Sequence, residues 1–146
     1  MIGIVVSGHI HFASGMESAV RAIAGEQPQM AFVDFVENLS TDMLEEELRN
    51  AGDRVDSGEG VLFLTDIPGG SPCNRALNIL MSGRNAELLA GVNLPMIANA
   101  AFERDGVSLA ELVDILMDIG ATSVQNIRTE LAAAMVVDNS DNESGL

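Results

Sequence analysis

Short apolar runs alternate with amphipathic stretches along most of the chain. Residues 2–6 are unbroken apolar and lead into Ser7-Gly8, the pattern of a strand buried on both faces. Over 14–24, Met16, Ala19, Val20 and Ile23 recur at helical spacing. Ser14 and Glu17 there have the spacing of a capping box, and Gly25 supplies a stop. Residues 30–36 predict a second strand. Residues 42–50 predict a helix with acids in its early turns, Leu44, Leu48 and Ala51 on one face and Gly52 beyond its end. A third strand, 60–64, runs into Thr65-Asp66 and the turn Ile67-Pro68-Gly69-Gly70. Ser71 then caps a helix whose first residue is Pro72, whose apolar face is Ala76, Leu77, Leu80 and Met81, and which Gly83 ends. Residues 87–92 predict a fourth strand, followed by a helix opened by Pro95. Ser108 and Glu111 form another capping box for a helix that Gly120 stops. Residues 123–128 alternate weakly, compatible with an edge strand or with more helix, and 129–137 are ambiguous. Residues 138–146 are polar and acidic and predict a disordered tail.

Strand–helix alternation with short connections predicts an α/β three-layer sandwich with a mostly parallel sheet, in the order 2-1-3-4. The chain divides into one domain over 1–133 and an acidic tail over 134–146. The order reverses between strands 1 and 3, and the crevice at their carboxyl ends is the expected site. Two loops open there, 7–13 and 65–71.

Charge and composition narrow the partners. The 22 acidic residues face seven basic ones, all arginine, for a net charge of −15. That field repels phosphate backbones and anionic lipid, which sets nucleic acid and membrane surfaces aside. Aromatic residues are 3% of the chain, with no Trp or Tyr, so base-stacking platforms are missing and the core must be aliphatic with methionine as filler. Cys73 is the single cysteine and permits neither an intramolecular disulfide nor a cysteine zinc cluster; a structural place inside a helix is expected for it. No basic leader opens the chain and no apolar run nears the ~20 residues that span a bilayer, so a cytoplasmic location is expected.

The two expected loops hold the candidate chemistry. His9 and His11, the only histidines, follow strand 1. They read first as surface loop residues, then as nucleophiles, and less readily as metal ligands, for which only carboxylates could supply the further donors. Asp66, directly after strand 3, either caps the Pro68-Gly69 turn or hydrogen-bonds an imidazole, fixing its tautomer and freeing the other nitrogen. Gly69, Gly70 and Ser71 lead into a helix and form a generic anion site. Asn74 and Arg75 lie one turn further on, within reach of an anion or of neighbouring acids. The absence of lysine excludes a P-loop of the G-x-x-x-x-G-K type. It also excludes a response-regulator receiver, which needs a late lysine and an acidic pair after strand 1. No G-x-G-x-x-G supports a dinucleotide, and only Phe12 offers a ring for a flavin.

The segments IGIVVSGHIHFASGMESAV, GVLFLTDIPGGSPCNRA and AGVNLPMI resemble the enzyme IIA component of the mannose-family phosphoenolpyruvate-dependent sugar phosphotransferase system, over about residues 1–130. The family includes mannose, fructose, sorbose and N-acetylgalactosamine types. The resemblance implies an α/β domain that dimerises by exchanging a C-terminal strand, for which 123–128 is the corresponding segment. It implies that His9 accepts a phosphoryl group from phospho-HPr and passes it to enzyme IIB on a separate chain, with no metal and no cofactor. Asp66 would orient His9, and Gly69, Gly70 and Ser71 would form the phosphate-side turn. His11 stands as the alternative nucleophile. Two other readings are a phosphotransferase subunit of a dihydroxyacetone kinase, which shares the strand-1 histidine, and a non-enzymatic anion-sensing module. One departure matters. The family histidine is usually followed by glycine, whereas Ile10 follows His9. An isoleucine resists positive φ, so a loop of slightly different course is expected.

Overall fold

A computed structural model describes residues 1–144. Four parallel strands form one sheet in the order β2-β1-β3-β4, as the alternation predicts. They are β1 (Gly3–His9), β2 (Met30–Phe35), β3 (Val61–Thr65) and β4 (Ala86–Ala90). The crossover helices are α1 (Phe12–Ala24), α2 (Thr41–Val55) and α3 (Ser71–Met81), and α4 (Leu94–Glu103), α5 (Leu109–Thr122) and α6 (Ile127–Ser144) follow β4.

The two-residue period of the strands divides the core. Ile4, Val6, Leu62 and Leu64 point to the layer of α1, α4 and α5, where they meet Val20, Ile97, Leu112 and Leu116. Val5, Val61 and Phe63 point the other way, onto Leu44, Leu48, Ala76 and Ile79 of α2 and α3. Both sheet faces are thus covered, which is why the central strands read as continuous apolar runs. At the amino ends of the strands, the buried Arg104 guanidinium donates to the carbonyls of Ile2, Pro28 and Gln29 and to the Gln27 side chain. Burial lowers its pKa, partly offset by Asp105.

Several boundaries depart from the expected ones. α2 continues past Asn50 through Gly52, because its buried face extends to Val55 and Gly52 itself packs against the Arg84 and Phe63 side chains. Gly120 does not stop α5. It lies inside the helix, where an added Cβ would come within 2.6 Å of Met96 Sδ, so its smallness serves the α4–α5 contact. The capping box at Ser108 and Glu111 forms, whereas Ser14 and Glu17 make none. α1 begins earlier, at Phe12, because the Asp34 carboxylate of β2 accepts the Ser14 backbone N–H at 2.9 Å and caps the helix from the sheet. Ser71 is the first helical residue and Gly70 the cap. The edge strand that 123–128 allowed does not form in the single chain. Asn126 Oδ1 accepts the Thr129 N–H at 3.2 Å instead, and α6 starts at Ile127. α6 runs on through Ser144, into the part of the chain expected as a tail; residues 145 and 146 lie outside the described ones. Among the described residues no helix is long and apolar enough to cross a membrane.

Candidate functional site

The β1 and β3 carboxyl ends lie side by side, with Ser7 opposite Thr65. Ser7 is buried and its hydroxyl donates to Val33 O at 2.8 Å, tying β1 to β2 just before the site. His9 is not a loop residue: β2 pairs with β1 as far as Phe35 opposite His9, so the imidazole leaves from the last position of a strand. Asp66 follows the last residue of β3. Its Oδ2 accepts the His9 backbone N–H and lies 2.8 Å from His9 Nδ1, while its Oδ1 accepts the Ile67 N–H.

Burial alone would raise the Asp66 pKa. The hydrogen bonds from the His9 backbone, the His9 ring and the Ile67 N–H outweigh it and hold the carboxyl below its ordinary range. An ionised carboxylate only accepts, so the ring nitrogen facing it carries the proton, and in the neutral imidazole the lone pair is on Nε2. The ring is pinned on its other side by the Phe35 ring, edge-on at 5.8 Å between centroids.

The glycine turn closes over this imidazole. An added Cβ on Gly70 would lie 2.8 Å from His9 Cε1 and 3.6 Å from Nε2, so Gly70 makes room for the ring. Gly69, at φ +79, gives the turn its left-handed step. The Gly70 N–H closes the turn on Ile67 O, and Asn74 Nδ2 holds Gly69 O at 3.0 Å. Ser71 and Cys73 lie in the first turn of α3, where backbone N–H groups lack intrahelical acceptors, and Pro72 has none to offer. His9, Asp66, Gly69, Gly70 and Ser71 therefore come together as expected. Arg75 does not join them: it bonds to Asp42 and Thr41 of α2.

Ile10 takes φ +53, so the isoleucine adopts the left-handed conformation that it was expected to resist. That step sends the next histidine away. His11 becomes the cap residue of α1, and its Nδ1 lies 3.5 Å from Asp34 Oδ2. The His9 side chain is 41% exposed and that of His11 76%. The Asp34 pairing and the Phe35 edge contact were missed in the sequence. Both depend on the register of β2 against β1, and the only trace of it there was the acid within an apolar run. Among the described residues no three His, Cys, Asp or Glu side chains cluster as a metal site would require.

Fold and site together define a doubly wound parallel α/β protein with a carboxylate-oriented imidazole at its switch point. The profile of the family described as "PTS system fructose IIA component" matches residues 3–117, and the chain belongs to that family, the mannose-type enzyme IIA components of the sugar phosphotransferase system. It is 32% identical over 130 residues to the mannose-specific EIIAB component of Escherichia coli K12, a match covering 88% of this chain and 40% of that protein. It thus spans well under half of that longer relative. It is 30% identical to the fructose-specific EIIA component of Bacillus subtilis, covering 86% of each chain. Among solved structures, the phosphotransferase system component EIIA from Streptococcus agalactiae superposes with a TM-score of 0.80 at 26% identity, covering 88% of this chain and 99% of that one.

Proposed function

We propose that this protein is a phosphocarrier in which His9 accepts a phosphoryl group from phospho-HPr and passes it to enzyme IIB, a carrier step in sugar uptake. The observation that carries the reading is the Asp66 carboxylate 2.8 Å from His9 Nδ1, which leaves Nε2 as the nucleophile beside the Gly70 turn. In the forward step the Nε2 lone pair forms a bond to phosphorus as the donor's N–P bond breaks, and the donor imidazole departs with that electron pair. The Nδ1 proton stays on the ring, and Asp66 stabilises the cationic phosphoimidazole. N–H groups at the start of α3, at Ser71 and Cys73, face the developing charge on the phosphoryl oxygens, with Gly69 and Gly70 shaping the approach. Transfer to enzyme IIB is the reverse chemistry with a new acceptor. The work is positioning and electrostatics, and the scheme uses neither metal nor cofactor.

A homodimer is part of the reading. β4 is an edge strand, and Val124, Ile127, Leu131, Met135 and Val136 are exposed near or on α6, an apolar surface suited to a second copy. Sedimentation at micromolar concentration checks this, and a monomer there contradicts it. The main test is acid-labile label from phosphoenolpyruvate through enzyme I and HPr. Label is expected in the native chain and absent from His9→Ala. A native chain that takes no label from a competent HPr excludes the reading, and label lost only in His11→Ala reassigns the nucleophile.

A further inference from the structure

We infer that Ile10 is a specificity-determining contact for the protein that donates the phosphoryl group, an inference that rests on the reading of His9 just given. A β-branched residue at φ +53 sits in the left-handed region, where its own side chain crowds the backbone and glycine would not. The backbone path itself is required: the Ile10 N–H bonds to Phe35 O at 2.8 Å, and the step carries the chain from His9, held on Asp66, to His11 beside Asp34. The side chain is not. It belongs to neither half of the core and is 43% exposed. Packing in the two core layers therefore does not offset the strain that the isoleucine adds.

The surroundings show where the side chain is useful. Ile10 lines an open cavity of about 290 Å³ with His11, Val36, Glu37 and Asn38. Val36 is exposed there, and the exposed Ile10 and Ile67 directly follow His9 and Asp66 in the chain, so an apolar side chain adjoins each member of that pair in sequence. Glu37 and Asp34 add negative charge on a chain already at −15. The matching surface is an apolar knob with basic residues around it. The donor fits better than the acceptor on electrostatic grounds. A donor brings its own phosphoryl dianion towards an acidic, unphosphorylated site, so contacts around the histidine must hold the encounter. An acceptor meets a site that already carries the phosphoryl charge its basic residues seek.

The experiment measures phosphorylation of the full chain by phospho-HPr over a range of HPr concentrations, beside phosphorylation by phosphoramidate, a small donor. Ile10→Gly relieves the backbone and removes the side chain; Ile10→Asn tolerates the same φ with a polar group; Ile10→Val keeps the apolar branch. Expected for Ile10→Gly is a melting temperature higher by about 3 °C. Its KM for phospho-HPr rises ~10-fold while its maximal rate and its labelling by phosphoramidate stay within about twofold. Ile10→Asn shares the KM defect and Ile10→Val restores the native KM. An unchanged KM in Ile10→Gly, with native labelling intact, overturns this inference alone. Slowing by both donors with a lowered melting temperature assigns Ile10 a structural part and also overturns it, as does a defect seen only in transfer to enzyme IIB. A native chain labelled by neither donor overturns the reading of His9 and this inference together.

Discussion

Two histidine–aspartate pairs leave the same end of the sheet, two residues apart in sequence, and they are not equivalent. His9 closes on Asp66 at 2.8 Å, and that carboxylate is itself fixed by two backbone N–H groups. His11 stands 3.5 Å from Asp34, whose firmest bond is to the Ser14 N–H at the start of α1. One aspartate serves an imidazole; the other serves a helix. His9 also has Phe35 in a T-shaped ring contact and Gly70 close to its Cε1, while His11 is largely in solvent. A histidine beside an acid is common. What distinguishes a nucleophile is a ring held on three sides with one nitrogen left free.

The comparison breaks most easily at the histidines. His9→Ala is expected to lower phosphoryl incorporation from phospho-HPr by at least about 10³-fold, against a change within about threefold for His11→Ala. Comparable losses from both would make the pairs equivalent. At the carboxylates the expected effects are smaller. Asp66→Asn should cost on the order of 10²-fold in transfer rate, because an amide no longer favours the Nδ1–H tautomer or the cationic product. Asp34→Asn should cost no more than about twofold in rate. Single-turnover transfer from a fixed amount of phospho-HPr separates these outcomes from changes in turnover of the donor.

Gly70 tests the room beside the ring. Gly70→Ala places a methyl group where His9 Cε1 now lies 2.8 Å away, so ring or turn must shift. The expected loss is about tenfold in transfer, since small misplacements of a reacting group are costly. Circular dichroism should show the fold retained. The same substitution at Gly15, whose Cβ would meet nothing within 4 Å, is the control and should leave transfer intact.

The sheet order was legible because short apolar runs alternate with helical patterns on short connections. The faces that part Val5 and Phe63 from Ile4 and Leu62 were not, since β1 and β3 are buried on both sides and read as unbroken apolar runs. His9, Asp66 and the glycine turn were legible because they stand at or within a few residues of the carboxyl ends of β1 and β3, whose positions are fixed by burial. What was hidden depended on contacts distant in sequence. Ser14 has the residues of a cap, but Asp34 reaches that helix end from another strand. Gly120 has the composition of a stop, but Met96 of the neighbouring helix requires the small residue there. Ile10 looked unable to take a left-handed turn. A conformational preference of a few kcal/mol at most yields when the register of β2 and the two flanking histidine contacts all require that φ.

Acid stability offers the smallest and most direct comparison of the two carboxylates. For Asp34, as for Asp66, burial raises the pKa but hydrogen bonding wins: Ser14 and then His11 hold it below the ordinary range. A carboxyl whose pKa is lower in the folded chain than its unfolded value of about 3.9 stabilises the fold above that value. The contribution disappears as pH falls from there through the folded pKa, because the folded state must then take up the proton it resisted. The native chain should therefore lose stability more steeply below about pH 4 than either Asp66→Asn or Asp34→Asn, measured as urea midpoints across pH 2–6. Asp66→Asn should flatten the acid limb more, because its carboxylate is less exposed and bonded at 2.8 Å through both oxygens. An equal flattening by both variants would mean that the closer pairing of His9 orients the ring without adding electrostatic stabilisation to the fold.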